Sequence, residues 1–123
     1  MSFRTTSRLV FGVALIIWSC MAFSRPAPAA NTPRKIEVVT KRFAYTPADI
    51  TLKKGEPVIL EFHSEDVTHG IKFKELNLQS EIRKGGPSEL AFTPTQTGDF
   101  VGHCSRFCGS GHGSMVLTLH VTE

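Results

Sequence analysis

The sequence predicts an all-β domain, a small antiparallel sandwich or barrel, and three observations carry that prediction. Apolar and polar residues alternate with period two in several short runs after residue 31. Gly or Pro interrupts every long segment there, and none shows an apolar stripe at helical spacing. About seven short strands punctuated by turns at this spacing are the pattern of a sandwich or barrel. The 123 residues leave room for a single domain, and one of about 90 residues is viable without covalent staples.

The first element is a leader. Arg4 and Arg8 precede an uncharged, mostly apolar run from Leu9 to Phe23, and the small-residue stretch APAA follows at 27–30. That is the layout of a secretory signal, with cleavage expected near Ala29 or Ala30. As a helix the apolar run would span about 22 Å, short of the roughly 30 Å of a bilayer's hydrocarbon core. Two other readings stay open: Ile17-Trp18-Ser19-Cys20 loosely resembles a lipoprotein cleavage box with Cys20 as lipid acceptor, and the run can serve as an uncleaved anchor. All three deliver the rest of the chain to an extracytoplasmic compartment, free in the periplasm or attached to the outer face of the inner membrane. The expected division is 1–30 as signal peptide or membrane or lipid anchor with its linker, and 31–123 as the folded domain; SRPAPAANTPR is the join.

Strand candidates then follow one another. The first runs from Lys35 to Tyr45. Ile50 and Leu52 alternate before the turn signal KKGEP, and Val58, Leu60 and Phe62 alternate after it, with Ile59, Glu61 and His63 on the opposite face. Thr68 to Lys74, Ser88 to Phe92 and Gly98 to Cys104 come next. The last, Met115 to Val121, puts Met115, Leu117, Leu119 and Val121 on one face and Val116, Thr118 and His120 on the other. There is no internal repeat.

Of the 14 Lys and Arg, Arg4, Arg8 and Arg25 lie in the leader, so 11 remain against 11 Asp and Glu and the domain is near neutral. A nucleic-acid groove normally needs a basic patch with net positive charge, so that class of partner is excluded. Of the three cysteines, Cys20 belongs to the leader, and Cys104 with Cys108 make no disulfide framework.

Those two cysteines stand in CSRFCGSGHGSM, residues 104–115, with His112 and Met115 and three glycines that let the backbone wrap closely round an ion. A short-loop disulfide explains the cysteines alone, and core packing explains Met115 alone; neither explains the set. Thiolate and thioether sulfur with imidazole is the donor list of an electron-transfer copper site, which needs a second His. His63 and His120 fall on outward strand faces, and His103 points away from its neighbour Cys104. His69, in DVTHGI, is the remaining candidate. No nucleophile–base pair or paired carboxylates stand out, so no catalysis is expected from this domain alone.

DVTHG at 66–70 followed by C-x3-C-x3-H-x2-M at 104–115 resembles the binuclear copper A domain of cytochrome c oxidase subunit II, which nitrous oxide reductase also carries. The resemblance extends from about Arg42 through FAYTPADITLKKGEPV, HGIKFKELN and FTPTQTGDF, and is greatest to the short forms with one N-terminal hydrophobic segment. It implies a cupredoxin-like Greek-key β-sandwich and two copper ions. Cys104 and Cys108 would bridge both ions, His69 and His112 would each bind one, and Met115 and the backbone carbonyl of Arg106 would be weak axial ligands. The implied role is electron entry into an oxidase. The implied partners are a redox protein such as a c-type cytochrome or small copper protein, oxidase subunit I, and the membrane through the N-terminal segment. Many members carry an acidic residue where Arg106 stands, so the docking surface differs in charge. Three other readings remain open: a copper delivery or storage protein, a single-copper blue protein using His69, Cys108, His112 and Met115, and a metal-free sandwich with a disulfide.

Overall fold

The computed structural model describes residues 31–123; the leader, with its cleavage site, lipoprotein and anchor readings, lies outside the described residues. Nine strands form: β1 (Arg34–Lys41), β2 (Ala44–Thr46), β3 (Asp49–Lys53), β4 (Val58–Ser64), β5 (His69–Phe73), β6 (Leu78–Ile82), β7 (Ser88–Phe92), β8 (Gly98–His103) and β9 (Val116–Thr122). A single 3-10 turn, His112–Ser114, is the one helical element among the described residues. None of their helices is long and apolar enough to cross a membrane.

The strands form two sheets, one in the order β2-β1-β4-β7 and the other β3-β9-β8-β5-β6. Alternation decides what each buries. Val58, Leu60 and Phe62 of β4 and Leu117, Leu119 and Val121 of β9 turn inward, while their neighbours are half-exposed. Val38, Leu60 and Phe62 from one sheet meet Ile71, Phe73, Leu117 and Leu119 from the other in one core, and that core continues into Cys104, Cys108 and Met115. The sulfur residues are therefore its end layer.

Two expectations need correction. The sheets are mixed, not antiparallel: β1 runs parallel to β4, with Val38 opposite Phe62, and β3 runs parallel to β9, with Ile50 opposite Leu119. Period two reports which face a strand buries; its neighbour's direction is set by connections that cross between sheets, which leave no periodic trace. The expected strand Lys35 to Tyr45 is also two strands, because the chain turns back at Arg42 and Phe43 so that β2 pairs antiparallel with β1. β6 adds a strand that alternation did not suggest, since its inward positions include the polar Ser80.

Candidate metal centre

His69 opens β5 and is fully buried. Its Nε2 lies 2.7 Å from Asp66 Oδ1, which also accepts the Val67 N–H at 2.7 Å, while Asp66 Oδ2 accepts the backbone N–H of Arg42 at 2.8 Å. Burial raises the Asp66 carboxyl, but the Arg42 N–H, the His69 ring and the Val67 N–H outweigh it and hold it at about 2. An ionised Asp66 assigns the proton to His69 Nε2 and leaves a lone pair on Nδ1. That Nδ1 is buried and has no hydrogen-bond partner, a costly state for a polar atom unless something electropositive fills the space in front of it. A carboxylate behind a ligating imidazole is the usual arrangement at metal sites.

The sulfurs come from the other side of the same layer. His103 at the end of β8 is exposed, so strand alternation turns Cys104 inward, and the Cys104 N–H donates to Met115 O at 3.2 Å, closing the loop onto β9. Cys104 Sγ and Cys108 Sγ are 3.8 Å apart and unbonded, against the roughly 2.05 Å of a disulfide. The three donors of His69, Cys104 and Cys108 all lie within 4.8 Å of one another. His112 Nδ1 and Met115 Sδ each lie 3.9 Å from Cys108 Sγ. The Arg106 carbonyl oxygen is 3.1 Å from Cys104 Sγ. All six expected positions thus converge at one end of the sandwich. The three other histidines are elsewhere: His63 sits beside Glu61 at 3.1 Å, His120 bridges Asp49 and Asp99 at 3.0 and 2.6 Å, and His103 faces outward.

Burial, then the neighbouring Cys104 sulfur, push the Cys108 thiol up, against a smaller opposing pull from the Arg42 guanidinium. A thiol raised in this way stays protonated at neutral pH, and a metal ion taking the Cys108 sulfur would release its proton.

Three supporting residues were missed in the sequence. Asp66 was legible, three residues before His69 in DVTH. Arg42 and Tyr45 were not, because their roles depend on chain pairing. Arg42 donates from Nε to Cys108 O at 2.7 Å as well as from its backbone to Asp66, so one residue ties the imidazole arm to the cysteine arm. The buried Tyr45 hydroxyl donates to Gly70 O at 2.6 Å, and the same carbonyl receives the Ser105 N–H at 3.4 Å. Burial, then the two cysteine sulfurs, push the Tyr45 phenol up, so it remains a neutral donor. Phe43 lies flat over the glycines of the loop: a Cβ on Gly109, whose φ is +140°, would come within 2.9 Å of its ring, and one on Gly111 would collide with it.

The model of the cupredoxin-like domain matches residues 12–117. The chain belongs to the cupredoxin-like family. This cupredoxin-like chain is 30% identical over 88 residues to a cytochrome c oxidase subunit 2 of Thermus thermophilus, covering 72% of this chain and 65% of that protein. A second Thermus thermophilus protein of that name gives the same identity with 52% of its length covered. The cupredoxin-like chain therefore spans between half and two thirds of these relatives. Among solved structures it is similar to the periplasmic domain of subunit II of cytochrome oxidase from Bradyrhizobium japonicum, with a TM-score of 0.66 at 18% identity over 73% of this chain and 84% of that one. It is also similar to the metal-binding domain of the Cu(I)-exporting P-type ATPase CopA of Streptococcus pneumoniae, with a TM-score of 0.57 at 27% identity over 72% of this chain and 85% of that one.

Proposed function

We propose that the chain is an extracytoplasmic electron-transfer protein whose centre holds two copper ions. Cys104, Cys108, His69 and His112 would hold them, with Met115 and the Arg106 carbonyl as weaker donors. One observation supports this above the rest: His69, whose buried Nδ1 has no partner, offers a ring nitrogen within 4.8 Å of two unbonded buried thiols. The donor set suits copper in chemistry, since thiolate, thioether and imidazole are its preferred ligands. Copper supplies a one-electron couple. The chain's own residues supply the constraint: Asp66 fixes the tautomer and aim of His69, Arg42 holds the Cys108 carbonyl, and Tyr45 holds the strand that carries His69 against the Ser105 turn. Donors placed in this way on the end of a packed core move little when charge changes. The expected partners are a one-electron redox protein, such as a c-type cytochrome or small copper protein, and an oxidase core subunit.

Copper loading under reducing conditions, followed by one-electron oxidation, tests the reading. Two coppers per chain, with one unpaired electron shared between them in the paramagnetic resonance spectrum, is the expected result. Cys104→Ser should abolish that spectrum. One copper with a single-ion pattern that survives Cys104→Ser instead identifies a blue site.

The likeness to the metal-binding domain of a Cu(I) exporter favours copper delivery as a second reading. Rapid loss of Cu(I) to a competing chelator, with no reversible redox couple, would establish it.

A further inference from the structure

The charges of this near-neutral domain are unevenly placed, although both sheets carry both signs. On the outer face of the first sheet, Glu37, Glu61 and Glu89 lie in register across β1, β4 and β7, and Lys35 is bound to two of them. On the other sheet Lys53 lies at the far end of β3, opposite Thr122, but a group of cations lies near the metal end. Lys72 of β5 and Lys74 in the turn after it lie beside His103 of β8, and among the described residues neither lysine has an ion-pair partner. Arg106 and Arg83 share a single carboxylate, Glu81, at 2.9 and 3.1 Å.

Lys72, Lys74 and Arg106, with the carboxylate of Glu81 beside the last, line a trench that runs round the cysteine loop. One groove of about 530 Å³ is walled by Lys72, Lys74, Gln79 and His103 over Cys104 and Ser105. Gln79 and Ser105 carry it into a second groove that reaches His69. Arg106 then joins that to a third, beside Cys108, walled by Arg42 and by Phe107, which is 79% exposed. A partner in the trench would sit on the exposed residues that cover the buried His69, Cys104 and Cys108, without any movement of the core.

We propose that this trench is the docking surface for an acidic redox protein, whose carboxylates pair with Lys72, Lys74 and Arg106 while an apolar patch covers Phe107. The proposal rests on the electron-transfer reading for the redox nature of the partner, and on charge complementarity for its acidity. One electron is lost by the donor's metal or flavin and gained by the acceptor's, with no bond made or broken. Open walls and unpaired lysines suit a protein surface, and the glutamate row on the opposite face turns the field so that an acidic partner meets the metal end first.

The test uses the full chain with and without copper, an acidic flavodoxin as probe and a strongly basic cytochrome c as control. Amide shifts at Lys72, Gln79, His103, Ser105 and Phe107 on adding flavodoxin are expected. Binding should fall at least about tenfold as salt rises from about 20 to about 200 mM, through screening. Lys72→Glu with Lys74→Glu, both exposed positions, should weaken flavodoxin about tenfold or more and leave the unfolding temperature unchanged. The proposal is overturned if flavodoxin binds the charge-reversed chain equally well, or if the shifts appear instead with cytochrome c round Glu37, Glu61 and Glu89. Binding is read without copper as well, so failure to form a two-copper centre leaves this result standing; a two-copper centre with no preference for the acidic probe sinks the docking proposal alone.

Discussion

The two ring nitrogens of His69 differ, one held by Asp66 at 2.7 Å and one buried without a partner. Asp66→Asn can still contact Nε2, but it no longer holds the neighbouring ring with a charge or dictates which nitrogen carries the proton. Copper affinity should drop by about 10- to 100-fold with the fold intact, as is typical when such a supporting group is removed; competition against a calibrated Cu(I) chelator measures it. The proposed donors could be picked out because one Gly-rich loop holds most of them close in sequence, and His69 emerged by setting aside histidines on outward faces. Arg42, 66 residues from the carbonyl it holds, left no local signal. Arg106 was read as free positive charge at the surface; pairing with Glu81 tempers that, and only the fold brings β6 beside the loop.

At the scale of elements, β8 and β9 show both what alternation conveys and what it omits. It named the buried face of β9 residue by residue, yet it gave no hint that β3 lies parallel along its other edge. Gly102 is the tight point of β8, where a Cβ would come within 2.5 Å of the Phe73 ring and 2.8 Å of Ile71 Cδ1. Gly102→Ala should therefore destabilise the domain by about 1–3 kcal/mol through overpacking, as read from urea unfolding. His120 links β9 to both neighbouring strands, its ring held between Asp49 and Asp99, and those hydrogen bonds raise its pKa above the ordinary value. A raised histidine stabilises the fold fully below its unfolded value of about 6.5, and the contribution is lost as pH rises through the folded one. Unfolding temperature should thus decline on that side more in the parent than in Asp99→Asn, a comparison that thermal melts from pH 5 to about 9 can make.

For the molecule as a whole, the donors form the last layer of a core that both sheets already close, so the domain should fold before it is loaded. Copper should then raise the unfolding temperature by mass action, by about 2.7 kcal/mol of stability when free metal is a hundredfold above its dissociation constant. A chelator should return the protein to the melting point of the unloaded state with a cooperative transition retained; loss of all cooperativity would mean that the metal organises the core. The fold class was readable because strands such as β3, β4 and β9 repeat the same inward–outward rhythm. Sheet order was not, since it depends on which loops cross the sandwich.

Phe43 resting on the bare backbone of Gly109 and Gly111 carries an evolutionary implication. A residue with any side chain at 111 cannot share that space with an aromatic ring at 43. Relatives that replace the glycine should therefore have traded the phenylalanine for something smaller, and an alignment of many sequences should reveal these two columns changing together across a separation that no local motif would span.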